Sequence, residues 1–190
     1  MKASARRMRL LCGALGCALA SALVGVHAQP TGEDDTFMPK GGRALLLETV
    51  GKTAGADELR QIAQSRRTEA QWRQFANTRG KTLTDRERAT LAAYLVVNMP
   101  VAQDKLKQSD LGASLPRDGR DLAWAQCQSC HSLFTSHLTQ DRDVQAWRNV
   151  FMSPFHRELK LTPQEREEFA RYSALNMPMK IDDVPPELRF

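Results

Sequence analysis

Cysteine, histidine and tyrosine are scarce in this chain: four, four and two among 190 residues. Cys12 and Cys17 fall inside an N-terminal apolar run, so Cys127 and Cys130 are the pair left to the remainder, and one pair three residues apart cannot make a disulfide framework. No stretch alternates polar and apolar residues convincingly with period two, so a sheet has no sequence signal. A phosphate-binding glycine loop, a nucleophile triad and a paired acid/base set are also missing, which excludes the hydrolase and transferase readings. Charge of one sign is missing as well. The chain holds 27 basic and 22 acidic residues for a net +5, but Lys2, Arg6, Arg7 and Arg9 supply four of the basic ones. Beyond residue 28 the balance is 23 to 22, and no nucleic-acid partner follows from it.

The N-terminus is a different kind of sequence from the rest. Its four cations precede an apolar run from Leu10 to Val26, and Val26-His27-Ala28 is a small-residue cleavage site before Gln29. Residues 1–28 are therefore expected to be a signal peptide that exports the chain to the periplasm. The run is slightly short for a spanning helix and ends without a stop-transfer flank, so a membrane association is expected only if the segment is retained. Residues 29–39, polar and turn-rich, read as a flexible lead.

Cys127-Gln128-Ser129-Cys130-His131 is the stretch that carries chemistry. It reads as C-x-x-C-H, the attachment signal for c-type haem, in which two thiols form thioethers to the vinyl groups and the adjacent imidazole ligates iron. Two other readings compete. Half of a zinc site would want further ligands at suitable spacing, and downstream only His137 and His156 are left. A thioredoxin-like dithiol would want a strand before it, whereas Asp121 to Gln126 has a helical period. In an exported chain the haem reading leads, with one covalent haem c as the expected cofactor.

The residues after the lead fall into two copies of one pattern. Gly42-Arg43 with Leu45 returns as Gly119-Arg120 with Leu122, and Trp72-Arg73 returns as Trp147-Arg148. Leu83-Thr84, running on to Tyr94 and Asn98-Met99-Pro100, returns as Leu161-Thr162, running on to Tyr172 and Asn176-Met177-Pro178. The offsets are 77, 75 and 78 residues in order. Within each copy the apolar period is helical, with Thr84 and Thr162 as expected N-caps. The expected fold is all-α, with two tandem domains at 40–100 and 119–180, a linker at 101–118 and a tail at 181–190. The charged residues of Gln164 to Arg171 read as a solvated helix face.

Opposite Cys127, Cys130 and His131 the first copy has Val50, Thr53 and Ala54, so it cannot attach haem covalently. Features kept in both copies need not serve a cofactor, whereas features of the second copy alone can. For the sixth iron ligand the sequence offers Met152, Met177, Met179, His137 and His156. Met177 lies in an Asn-Met-Pro that the haem-less copy repeats, which makes it a helix-end packing residue. Met152 stands five residues after Trp147, where the first copy has Asn77, so Met152 is the expected distal ligand. Trp147 and Arg148 are matched to haem propionates in chemistry, but their counterparts Trp72 and Arg73 argue equally for packing. Trp124 reads as core filler, with lining of the haem edge as the rival.

With these motifs the chain resembles the cytochrome c superfamily. From Trp147 to Met152 and on to Tyr172 it looks like tandem c domains such as the haem subunits of quinohaemoprotein amine dehydrogenase and of sulfite dehydrogenase, over about residues 40–178. The resemblance implies a small helical shell around haem, held by Cys127, Cys130 and His131 with Met152 distal. It implies electron transfer between redox partner proteins, a periplasmic dehydrogenase and a downstream acceptor, with the chain as a free carrier or as a subunit of an oxidoreductase. An open distal side would instead imply a haem peroxidase or small-ligand sensor. Val50, Thr53, Ala54 and Asn77 depart from a two-haem pattern and remove the basis for a relay between two haems.

Overall fold

The computed structural model describes residues 37–50, 56–107, 110–127, 130, 132 and 134–186. The expected signal peptide, most of the lead, Thr53, Ala54 and His131 lie outside these. Among the described residues every regular element is helical: α1 (Gly42–Val50), α2 (Ala56–Gln64), α3 (Glu69–Arg79), α4 (Asp85–Asn98), α5 (Leu111–Ser114), α6 (Gly119–Cys127), α7 (Val144–Val150), α8 (Pro154–Arg157) and α9 (Pro163–Asn176), with short turns between them. The all-α expectation holds.

The local causes are those of the sequence. Thr84 Oγ1 accepts from Glu87 N at 3.3 Å while the Glu87 carboxylate accepts from Thr84 N at 2.8 Å. Thr162 and Glu165 repeat the arrangement at 3.2 and 2.9 Å. Each reciprocal pair satisfies two backbone donors that would otherwise be orphaned at the start of α4 and α9. At the other end Asn98 Nδ2 donates to Tyr94 O at 3.0 Å and Asn176 Nδ2 to Tyr172 O at 2.9 Å.

Two clusters of buried apolar side chains form. One gathers Leu45, Leu46, Trp72, Leu91 and Leu95 with their neighbours; the other gathers Leu122, Leu138, Trp147, Phe151 and Phe169. They are lobes of one compact unit. Helices α4 and α9, the two copies of the same sequence block, pack against each other between them. Each lobe crosses its first helix over its last at a glycine: a Cβ on Gly42 would overlap Tyr94, and a Cβ on Gly119 would overlap Tyr172. Closeness, not backbone conformation, requires glycine at both places.

Polar contacts across the α4–α9 seam, and to the stretches that lead into α6 and α1, come in matched pairs. Tyr94 Oη donates to Pro116 O at 2.8 Å, and Tyr172 Oη to Pro39 O at 2.7 Å. Asn98 Nδ2 also donates to Glu168 Oε2 at 3.0 Å, and Asn176 Nδ2 to Thr90 Oγ1 at 3.0 Å. Asp118 caps two helices at once: Oδ1 accepts from Asp121 N at 3.1 Å at the start of α6, and Oδ2 from Arg43 N at 3.0 Å at the start of α1. Gly41 leaves room for that carboxylate, since a Cβ there would overlap it.

Four expectations need correcting. The lead is not loose up to Pro39, because Met38 is buried in the second lobe's core and Pro39 accepts from Tyr172. The span 101–118 is more than a linker: Val101, Leu106, Leu111 and Leu115 belong to the first lobe's core, and their apolar side chains bring the polar stretch down onto it. In the tail, Val184 is buried in the second lobe. The charged run on α9 is not all solvated, because Glu168 is buried and accepts from Gly119 N at 3.1 Å as well as from Asn98.

Candidate functional site

The second lobe holds a cleft of about 690 Å³ between α6, α7, α8 and α9. Helix α6 brings Cys127 to its edge, and Cys130 follows one turn later, its backbone N–H donating to Cys127 O at 3.4 Å. Crossing at Gly119 and capping by Asp118 fix where α6 begins. Trp147 and Val150 from α7, Phe151, Leu161, and Phe169 from α9 supply an apolar wall. Asp143 caps α7 through Ala146 N at 2.7 Å, which sets the register that turns Trp147 inward.

Burial pushes the Cys127 thiol up to about 12, with the neighbouring Cys130 adding to the shift. A thiol held neutral is a poor nucleophile, the opposite of what a redox dithiol needs. Cys130 is exposed, and neither thiol is in a disulfide.

Polar groups also meet this apolar surface. His137 is buried, its ring between Trp147 and Phe169 at centroid distances of 4.8 and 5.0 Å, with Nε2 3.5 Å from Ser173 Oγ. Trp147 Nε1 is buried with no hydrogen-bond partner among the described residues, which is costly unless something supplies an acceptor. His156 lines the cleft from α8, its Nδ1 3.1 Å from Val150 O and 3.0 Å from Ser153 Oγ. Arg142 lies over the Trp147 ring at 5.3 Å.

Met152 falls elsewhere. Its side chain is 62 % exposed and it is not among the residues around the cleft. Met177 is buried at the end of α9, where a packing role was expected, and Met179 packs on the same core. Arg148 spends its guanidinium on Glu167, with two contacts of 2.7 Å. Trp124 is partly buried, edge-on to Phe37 at 6.5 Å. His131 lies outside the described residues, so the structure brings together Cys127 and Cys130 of the expected set.

No family model, no curated protein and no solved structure matches the chain. The site is therefore read from its own chemistry. Among the described residues no three His, Cys, Asp or Glu side chains converge as a metal cluster, and no helix is long and apolar enough to cross a membrane.

The sequence offered His137 only as one of five candidates for the sixth ligand and did not single out Ser173 as a site residue. A signal for both was present. Arg67 stacks on Trp72 at 4.7 Å as Arg142 does on Trp147, and Val101 N donates to Ala63 O as Met179 N donates to Leu138 O, each at 2.7 Å. The shared offset of 75 residues puts His137 opposite Ile62, and the offset of 78 puts Ser173 opposite Leu95. A buried polar pair thus stands in the second lobe where the first has two apolar residues.

Proposed function

We propose that the chain is a periplasmic carrier of single electrons, with one covalent haem c in the second lobe and none in the first. Cys127 and Cys130 would hold the group through thioethers, and His131 would ligate its iron. The observation that carries this reading is that both cysteines of a C-x-x-C-H motif stand at the rim of a large, mostly apolar cleft. Its volume lies within the ~300–1,000 Å³ of small-molecule and cofactor sites, and a planar macrocycle suits walls of Trp, Phe, Val and Leu. Trp147 Nε1 supports it further, since a haem carries carboxylates and this donor lacks an acceptor.

Bound haem supplies a one-electron change at iron. The chain's own part is to exclude water with Phe151, Leu161 and Phe169 and to fix the edge of the group at Cys127 and Cys130. Partners would be a periplasmic dehydrogenase on one side and an acceptor on the other, with the haem-less lobe as scaffold or docking surface, as a free carrier or as a subunit of an oxidoreductase. The two lobes are read as two copies of a cytochrome c-like unit fused through α4 and α9.

The exposure of Met152 favours a second reading, a haem with an open distal side acting as peroxidase or small-ligand sensor. Expression of the full chain with haem-attachment machinery, followed by denaturing haem stain and oxidised and reduced visible spectra, separates the outcomes. One haem per chain surviving denaturation, with a low-spin spectrum, is expected. A high-spin spectrum that shifts on adding small ligands would favour the second reading, and an unstained chain would end both.

A further inference from the structure

We infer that the first lobe docks an acidic partner protein, through a depression along α3 that takes an extended segment bearing carboxylates. This rests on the docking role given to that lobe above and not on the haem itself. The placement of charge points to it. Between residues 56 and 81 there are six basic and three acidic residues, whereas the equivalent stretch 131–156 of the second copy has two of each. The chain beyond residue 28 is almost balanced, so its excess of cations is local.

The depression has a volume of about 540 Å³. Gln71, Gln74 and Phe75 line it from α3, and their spacing of three and four residues puts them on one face of that helix. Arg66 and Arg67, between α2 and α3, border it as well, and so does Arg79 from the far end of α3. The two ends differ in charge. Arg79 gives its guanidinium to Glu58 and is balanced there. Arg67 lies over the Trp72 and Phe75 rings at 4.7 and 5.2 Å, which holds it in place without neutralising it. Arg66 is exposed and has no hydrogen bond or ion pair among the described residues, and the same is true of Gln74.

The second copy shows which of these residues the fold requires. Arg142 lies over Trp147 at 5.3 Å as Arg67 lies over Trp72, so that contact belongs to the fold. Arg66 has no such counterpart: the offset of 75 residues sets it opposite Asp141, Gln71 opposite Ala146 and Arg79 opposite Pro154. The free cation and the amide beside it are features of the haem-less copy alone, as the cysteines are of the other.

Two adjacent guanidiniums offer forked N–H donors to a carboxylate. Gln71 Oε1 is spent on Thr68 N at 2.8 Å, which leaves its Nε2 to donate, with Gln74, to the backbone of a chain laid along α3. Over its eleven residues α3 rises about 16 Å, the length of an extended segment of about five residues. A lipid surface suits the site less. Cations that bind headgroups stand out from a face with apolar side chains between them, and here Phe75 is half-buried in a hollow flanked by glutamines.

The test uses the full chain and dye-labelled hexaglutamate, read by fluorescence anisotropy. Binding is expected at low ionic strength and should fade as salt is added, because exposed charges are screened. Arg66→Asp, which gives the first copy the second copy's residue, should weaken binding roughly tenfold at an unchanged melting temperature. Lys160→Asp makes the same change of net charge at an exposed position of the second lobe and should weaken it far less. No binding by the unaltered chain, or equal weakening by the two variants, would overturn the assignment. Tighter binding to phosphatidylglycerol vesicles than to hexaglutamate would overturn it in favour of a lipid surface. A monomer–dimer equilibrium in sedimentation that Arg66→Asp abolishes would overturn it in favour of a second copy of the chain. Anisotropy does not use the haem, so the two readings fail separately: an unstained chain removes the electron carrier, and loss of hexaglutamate binding removes the docking surface.

Discussion

The two lobes agree at their helix ends and disagree in their clefts, and that division separates what the fold requires from what chemistry requires. Both have a capped last helix, a Gly–Tyr crossing, an Asn that folds back on its own helix and a Tyr hydroxyl given to the stretch that leads into the other lobe's first helix. Such features survive in a lobe without cysteines because they build the interface between α4 and α9. The clefts differ. Where α7 lines an apolar cavity in the second lobe, α3 lines a shallower depression of about 540 Å³ with Arg66, Arg67, Gln71, Gln74 and Arg79 around Phe75. Ile62 and Leu59 fill the first lobe's core. The first lobe thus fills its inside with aliphatic carbon and turns its outside polar, where the second keeps an apolar cleft beside two cysteines.

The shared crossing gives the largest expected effect. Gly42→Ala and Gly119→Ala each insert a methyl against a tyrosine Cβ, an atom too close to its backbone to move alone. Each should cost about 3 kcal/mol, since overpacking forces the two helices apart. Because α4 and α9 join the lobes, both losses should appear in one cooperative unfolding transition, read by thermal circular dichroism. Two resolved transitions, each moved by a single substitution, would show that the lobes are independent domains.

Much of this was legible in the sequence because capping and periodicity are local. Thr84 with Glu87 and Thr162 with Glu165 declare their helices within four residues. The repeat located the equivalent residues, and the motif located Cys127 and Cys130. Long-range burial was not legible. Met38, Leu106 and Val184 sit in polar stretches and are buried by partners far away in the chain. Glu168 looked like one charge of a solvated face, and only the packing of α9 on α4 and α6 takes it out of water. The path of the second lobe after Trp147 was not legible for a related reason. Counting from Trp147 assumes that both lobes keep the same path, but the second diverts into α8, exposing Met152 and bringing in His156.

The buried acids sharpen the comparison next. Burial raises Glu168 from its ordinary 4.5 to about 8, with Asp118 adding to the shift, and burial raises Asp118 from 3.8 to about 6, with Asp121 adding to it. The folded state then holds more protons than the unfolded state, so stability is full below the unfolded values and falls as pH rises toward 8. Thr90, the counterpart of Glu168, cannot titrate. Between pH 5 and 8 the loss should be on the order of 4 kcal/mol, and Glu168→Gln should flatten most of it. Melting temperatures across that range that stay level in the unaltered protein would contradict the direction. At the acid end Glu167 works the other way: the Arg148 guanidinium, helped by Arg171, holds it at about 2, so its contribution is lost as pH falls below 4.5.

The smallest expected change in stability tests the sharpest difference between the lobes. His137→Ile with Ser173→Leu gives the second lobe the pair that the first already has, Ile62 and Leu95. Replacing both partners of a buried polar contact by apolar groups is close to neutral, so the double variant should unfold within about 1 kcal/mol of the parent. His137→Ile alone should behave similarly, because the Ser173 hydroxyl keeps its bond to Phe169 O. What should change is the cofactor. The polar pair beside Trp147 contributes to the electrostatics of the cleft, and, with haem attached as proposed, its removal should shift the reduction potential while leaving covalent attachment intact. If the potential is unmoved and stability falls steeply instead, His137 and Ser173 are core residues that happen to be polar, and the difference between the lobes narrows to the cysteines, His131 and α8.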